Sequence, residues 1–262
     1  MIESLILLGL LFLIVLIHEA GHLIAAKYYG VGVPVYSIGF GPRLIGFKFY
    51  KGNVSYKILN GAPSNLTVWE EAETEYRIAP IPFGGFCSME GEIVETNKKN
   101  SKDLASKPYY QKVVVAMGGA IANIITGFAA IVAVLAPNLG FFKAVKNTFL
   151  ALVATSVEAY HYTLLLFTGK EPLAKWGEIT EGVAQISGIG EFTIYFGILS
   201  VIMALFNLIP FPALDGSLPI LWGLEKVFGK KKGQKIAHVL AMFGIIILMT
   251  LQVLIVVYWF LP

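Results

Sequence analysis

Leu5–Ala26 reads LILLGLLFLIVLIHEAGHLIAA, an uncharged apolar run that ends in the cluster His18-Glu19-Ala20-Gly21-His22. An α-helix needs about 20 apolar residues to cross the hydrocarbon core of a bilayer, and this stretch has that length. Ionisable groups inside such a segment are costly and mark functional positions. The competing account makes the same five residues a polar helix end near the interface.

Helix positions i and i+4 lie about 40° apart around the axis. Both imidazoles therefore face one way and can share one ion. Glu19 is turned by about 100° from His18, near enough to reach a water on that ion without being a ligand. Zinc lowers the pKa of its water toward ~7, and an adjacent carboxylate can then take the proton during attack on a carbonyl. This is the metalloprotease logic of the H-E-x-x-H pattern.

The rest of the chain agrees with a membrane setting. Its 262 residues are 56% hydrophobic and 14% charged, with a mean hydropathy of +0.71. Soluble domains average roughly 45–50% apolar and about 25% charged. The apolar residues occur in runs that do not alternate with polar ones, so helices rather than a β-barrel are expected. A formal charge of +3 and the absence of a basic, aromatic-interleaved patch argue against nucleic acid as partner. The single cysteine, Cys87, excludes an intramolecular disulfide and a cysteine-only metal cage. No cleavable signal peptide is expected, since Met1–Ile17 lacks a basic leader and carries Glu3.

Four transmembrane helices are expected, over residues 5–26, 113–135, 192–209 and 236–261. The fold class is thus an all-α membrane protein with a small membrane-associated β-element in the first loop, about residues 31–95. Val33–Tyr56 and Tyr76–Met89 are rich in β-branched and aromatic residues, with Gly and Pro between them, and read as short strands and turns. Asn97–Ser106 reads as a solvated connector. Residues 144–190 are expected to form an external or interfacial helical segment, because Lys146, Glu158 and His161 make 144–167 too polar for a comfortable lipid-exposed helix; a fifth span there is the alternative. Nine Lys and Arg fall from Arg43 to Lys107 of the first loop, five in the third loop and four in the second, which is longer than the third. That bias places the first and third loops in the cytoplasm and both termini outside. The whole is expected to form a single domain, residues 1–262.

Two histidines leave a catalytic zinc one protein ligand short. His161 and His238 are the remaining histidines, one on the external segment and one beside a lysine cluster. Asp215 is the stronger candidate. It lies in Asn207-Leu208-Ile209-Pro210-Phe211-Pro212-Ala213-Leu214-Asp215-Gly216, directly after an apolar helix. Pro210 and Pro212 remove backbone donors and Gly216 tolerates unusual dihedrals, so the helix must unwind there. Unwound backbone at membrane depth is tolerated where it lines a cavity or the protein interior, and a carboxylate at that break wants a cation. An Asp that caps the next helix is the plain alternative.

These strings together resemble the site-2 protease family of intramembrane metalloproteases, in its bacterial regulated-proteolysis branch, over nearly the whole chain. His18–His22 matches the HExxH of the family. Asn207–Gly216 matches its NxxPxPxLDG element, departing at Ser217 where a second glycine is frequent. Ser37–Pro42 and Pro82–Phe86 are similar to its GFGP and PxGG(Y/F) elements, and Gly118–Asn123 to its GPxAN. The resemblance implies one zinc ion per chain held by His18, His22 and Asp215, with Glu19 as general base. It implies that Asn207 holds substrate near the centre. Gly84, Gly85 and Phe86 would belong to a β-loop that pairs with an unwound substrate strand, with an ordinary turn as the alternative for the two glycines. Strand addition makes physical sense, since cleavage needs an extended segment whose lost hydrogen bonds a strand edge can replace.

The expected function is zinc-dependent intramembrane endoproteolysis of single-span membrane proteins or signal-peptide remnants in the bacterial cytoplasmic (inner) membrane, near its cytoplasmic face. The interval from Leu135 to Phe192 is too short for the PDZ domain common in this branch plus the segment that follows it. Gly182–Ile186 also departs from the GPVGI frequent before the third span. Two rivals remain: a membrane zincin acting on prenylated proteins, with Glu158, Glu178, Glu181 or Glu191 as third ligand, and a non-catalytic metal-binding scaffold.

Overall fold

The computed structural model describes residues 2–91, 101–168, 186 and 188–260, so Glu178, Glu181 and residues 182–185 lie outside the described residues. The chain divides into two compact units, Leu5–Asn123 and Ile124–Pro262, the latter with Met1–Ser4.

Helix α1 is Ile2–Tyr28 and enters the first unit at Leu5. It stops at Gly30, whose φ of +63° is the left-handed turn that glycine adopts without strain. The Gly30 amide donates to the Lys27 carbonyl at 3.1 Å and the Val31 amide to the Ala26 carbonyl at 2.8 Å. This is a Schellman closure, sealed by buried Val31 and Ala26.

Five strands follow: β1 Val35–Phe40, β2 Ile45–Tyr50, β3 Asn53–Ile58, β4 Glu75–Ile78 and β5 Ile81–Ser88. Their order is β3-β2-β4-β1-β5, with β1 and β4 parallel and the other neighbours antiparallel. Lys51 and Gly52, at φ +48° and +80°, form the two-residue turn joining β2 to β3. Paired positive φ angles match the right-handed twist of a hairpin. Gly39, at φ +88°, sits at a register shift in β1. The first loop therefore folds into a small sheet, as its composition predicts.

The register sorts the side chains by chemistry. One face carries Ile45, Phe47 and Phe49 of β2, Val54, Tyr56 and Ile58 of β3, Tyr76 and Ile78 of β4, and Tyr36 and Ile38 of β1. A shallow cavity of about 340 Å³ on this face is lined by Tyr36, Ile38, Phe47, Phe49, Tyr76 and Ile78, with Arg77 also at its wall. Phe49 and Ile58 there are each 56% exposed. The opposite face is polar and lies under the short helix α2, Leu66–Glu71. Trp69 of α2 takes Arg43, Lys48 and Lys57 over its ring at 5.4–5.5 Å. Arg43 also pairs with buried Glu75 at 2.9 Å. The sheet thus hides its charges and shows its hydrocarbon, the reverse of a sheet bathed in water.

Helix α3, Tyr109–Leu139, begins in this unit after a 3-10 turn at Leu104–Ser106. It crosses α1 at Gly21 and Gly118, where a Cβ on Gly118 would stand 2.7 Å from the Gly21 carbonyl oxygen. Backbones approach this closely only where side chains are absent.

The second unit holds the end of α3, then α4 Phe141–Thr168, α5 Ile189–Asn207, α6 Leu218–Phe228 and α7 Lys230–Phe260. Ile131, Leu152 and Val201 form its buried cluster, joined by Phe128, Leu135 and Ile198. Gly127 and Gly197 let α3 and α5 touch backbone to backbone, each lacking a Cβ that would stand 2.7 Å from the carbonyl oxygen of the other. Between α5 and α6 the chain unwinds as its prolines require, resuming in a 3-10 turn at Asp215–Ser217. The strained residue there is Ala213, at φ +82°. Gly216 is needed for a different reason from the one its sequence position suggests, since its φ is not positive. A Cβ on it would run into the carbonyl oxygens of Leu208 and Ile209.

Among the described residues, three helical segments are long and apolar enough to cross a membrane: Ile6–Tyr28, Tyr109–Leu139 and Ile189–Asn207. The fourth expected span falls in α7, whose described apolar part is Lys235–Ile247. The ambiguous segment 144–167 is helical, within α4, and exposes Phe149, Leu150, Val153 and Val157.

Candidate metal centre

His18, Glu19 and His22 sit on consecutive turns of α1, and the Nε2 atoms of the two histidines are 3.3 Å apart. Their rings meet edge to face, centroids 4.9 Å apart at 78°. Both are buried, at 4% and 6% exposure.

What holds the rings is α3. The Nδ1 of His22 lies 2.8 Å from the Val115 carbonyl oxygen. A carbonyl can only accept, so this Nδ1 carries the proton, and in the neutral ring Nε2 is left with a lone pair to offer a cation. The Nδ1 of His18 lies 3.4 Å from Nδ2 of Asn123, a side chain with no exposed surface. Between these two contacts is Gly119, where a Cβ would stand 2.5 Å from Nε2 of His22 and 2.6 Å from Nε2 of His18. Val115, Gly119 and Asn123 are spaced four apart and share one face of α3. The fit to a cation rests on this arrangement: the Nε2 atoms of two imidazoles converge over a cradle that a methyl group would fill.

Glu19 is half-buried. Beside it lies β5, an edge strand whose only ladder partner among the described residues is β1. A Cβ on Gly85 would stand 2.9 Å from Cγ of Glu19 and 2.7 Å from the Ser37 carbonyl oxygen. The missing side chain therefore lets β5 lie directly on the Glu19 stem. Gly84, at φ +153°, could bear no Cβ either, since one would enter the ring of Phe40. Phe86 is stacked on Phe40 at 6.4 Å and covered by the Arg77 guanidinium at 4.8 Å. Tyr36 of β1 donates its hydroxyl to the Leu16 carbonyl of α1 at 2.9 Å. Burial, and then the charge of Glu19, push its pKa up to about 12.

Asn207 and Asp215 belong to the other unit, on either side of the helix break. Asn207 closes α5 and donates its amide to the Met203 carbonyl at 3.0 Å. Asp215 is half-buried at the start of the 3-10 turn. His161 and His238 are both exposed, on α4 and α7. The sequence reading missed Val115 and Asn123 as partners of the imidazoles. The four-residue spacing of Gly119 and Asn123 is a legible signal, whereas a backbone carbonyl leaves none.

A sequence model described as peptidase family M50 matches residues 6–62 and 58–251. The chain belongs to peptidase family M50. The resemblance to site-2 proteases carried by its motifs is thereby borne out. Among its relatives are proteins provisionally named zinc metalloproteases. One from Clostridium perfringens is 33% identical over 128 residues, covering 49% of this chain and 31% of that protein. One from Chlamydia trachomatis is 36% identical over 123 residues, covering 43% of this chain and 16% of the relative. One from Helicobacter pylori is 29% identical over 189 residues, 67% of this chain and 45% of the relative. The matched part of this M50 chain thus spans less than half the length of each of these relatives.

Proposed function

We propose that this chain is a zinc-dependent intramembrane endopeptidase that cleaves the membrane-spanning segments of single-span proteins or signal-peptide remnants. The observation that carries the reading is the pair of Nε2 atoms 3.3 Å apart on a helix long and apolar enough to span a bilayer. His18, His22 and Asp215 would hold one zinc ion, and the zinc metalloprotease names of its relatives support that metal. When bound, zinc supplies Lewis acidity, polarising a scissile carbonyl and acidifying water. Glu19 takes a proton from the attacking water and returns it to the leaving amine.

The substrate enters as an extended strand on the edge of β5 that has no ladder partner among the described residues, so that Gly84, Gly85 and Phe86 run beside the peptide bond to be cut. The position of Gly85 against Glu19 supports this, since a strand added there passes the proposed general base. Asn207 steadies that strand. The exposed apolar face of the sheet is pressed into lipid, where hydrocarbon and not water covers Phe49 and Ile58. Four spans, the fourth in α7, place both termini outside. The first and third loops, rich in Lys and Arg, then face the cytoplasm of a bacterial inner membrane.

Cleavage of a tagged single-span substrate by the reconstituted chain tests the reading. Proteolysis is expected, abolished by a zinc chelator and restored by added zinc. Stoichiometric zinc without proteolysis would instead indicate a metal-binding scaffold.

A further inference from the structure

The two imidazoles are held by unlike partners. Against Nδ1 of His22 stands a backbone oxygen at 2.8 Å, fixed by helix α3 and able only to accept. Against Nδ1 of His18 stands a side-chain amide at 3.4 Å, fully buried on the same helix two turns further on. An amide can present either its NH₂ or its oxygen by turning half a revolution, with almost no change of shape. With Nδ2 toward the ring, the amide donates to a bare Nδ1, and the proton of His18 then sits on Nε2, which cannot ligate. With Oδ1 toward the ring, Nδ1 carries the proton and Nε2 is free for a cation.

We infer that Asn123 is the positioning residue for His18. In the metal-loaded protein its amide oxygen accepts the Nδ1 proton, setting the tautomer and aiming Nε2 at the ion. This rests on the zinc reading of the site. Its own content is an asymmetry: His22 is organised for metal by backbone alone, while His18 becomes so through a side chain that must be turned correctly. Outer-sphere partners of metal-bound histidines typically alter affinity by roughly 10–100-fold.

The test uses the full chain in detergent, with zinc affinity read by chelator competition and ligand geometry by the visible spectrum of the cobalt-substituted protein. Asn123→Leu keeps the volume and removes the acceptor; Asn123→Asp keeps an acceptor and removes the donor. Asn123→Leu is expected to weaken zinc roughly 10–100-fold and to change the cobalt spectrum. Asn123→Asp should bind at least as tightly as the wild type with an unchanged spectrum. Leu binding like wild type, or Asp as weak as Leu, overturns the assignment. Unfolding in EDTA checks each variant. If Leu does not fold, Asn123→Ala replaces it, and if that also fails the aspartate variant alone decides, with binding weaker than wild type or a changed cobalt spectrum overturning the idea. A wild-type chain that takes up no stoichiometric zinc defeats the zinc reading itself, whereas stoichiometric zinc with an indifferent Asn123→Leu defeats only this inference.

Discussion

Gly119 stands opposite His18 so closely that a Cβ there would lie 2.6 Å from Nε2 of that ring, and 2.5 Å from Nε2 of His22. The glycine is therefore an element of the metal centre and not simply a site of close helix packing. Gly119→Ala should displace one imidazole from its partner on α3. Zinc content and proteolysis should fall together by more than about tenfold, as for lost outer-sphere support. Full zinc occupancy in a folded Gly119→Ala protein would show that the rings move aside at no cost.

In the proposed mechanism Glu19 is the general base and not a ligand. Glu19→Gln keeps the shape against Gly85 and removes the base. Zinc should stay bound in stoichiometric amount while kcat falls by roughly 10²–10⁴-fold, the usual weight of general acid–base catalysis. Zinc loss in this variant would make Glu19 a ligand, and retained turnover would remove it from the mechanism.

Much of this was readable from residue types at fixed spacing. The HExxH period places both histidines on one face of α1 whatever lies around them. Pro210 and Pro212 break a helix by local chemistry, and α5 ends at Asn207, just before them. The strands of the first loop were legible as strands, but their order was not. That β4 inserts beside β1 in parallel, 40 residues away at Ser37 and Arg77, depends on pairing that no local pattern encodes. The Gly216 reading failed for a related reason: the positive φ falls on Ala213, and glycine is required by two carbonyls that only the folded break brings near. The partner of His22 is a backbone oxygen, and every residue has one.

Asp215 is where the proposed ligand set depends on the break between α5 and α6. Asp215→Ala should lower zinc affinity beyond the roughly 10–100-fold expected for an outer-sphere partner, because a ligand is lost outright. His161→Ala and His238→Ala, at exposed positions, should leave zinc content unchanged. Equal zinc in Asp215→Ala and wild type would remove Asp215 from the centre, and loss in either histidine variant would replace it.

Tyr36 ties the sheet to α1, through a hydroxyl that donates to the Leu16 carbonyl at 2.9 Å. Tyr36→Phe leaves that ring in place and removes one hydrogen bond, a cost of about 1 kcal/mol. The pH dependence has a definite sign. The phenol of the folded protein loses its proton near pH 12, that of the unfolded chain near the ordinary 10. Between those values the unfolded state binds fewer protons, so stability falls as pH rises. Below pH 10 both states are neutral and the contribution is constant. Thermal unfolding in detergent should therefore decline more steeply from pH 10 to 12 in wild type than in Tyr36→Phe, with parallel curves at lower pH. Curves that stay parallel throughout would mean that the hydroxyl ionises in the folded protein as freely as in water, and that it does not anchor β1 to the helix bearing Glu19.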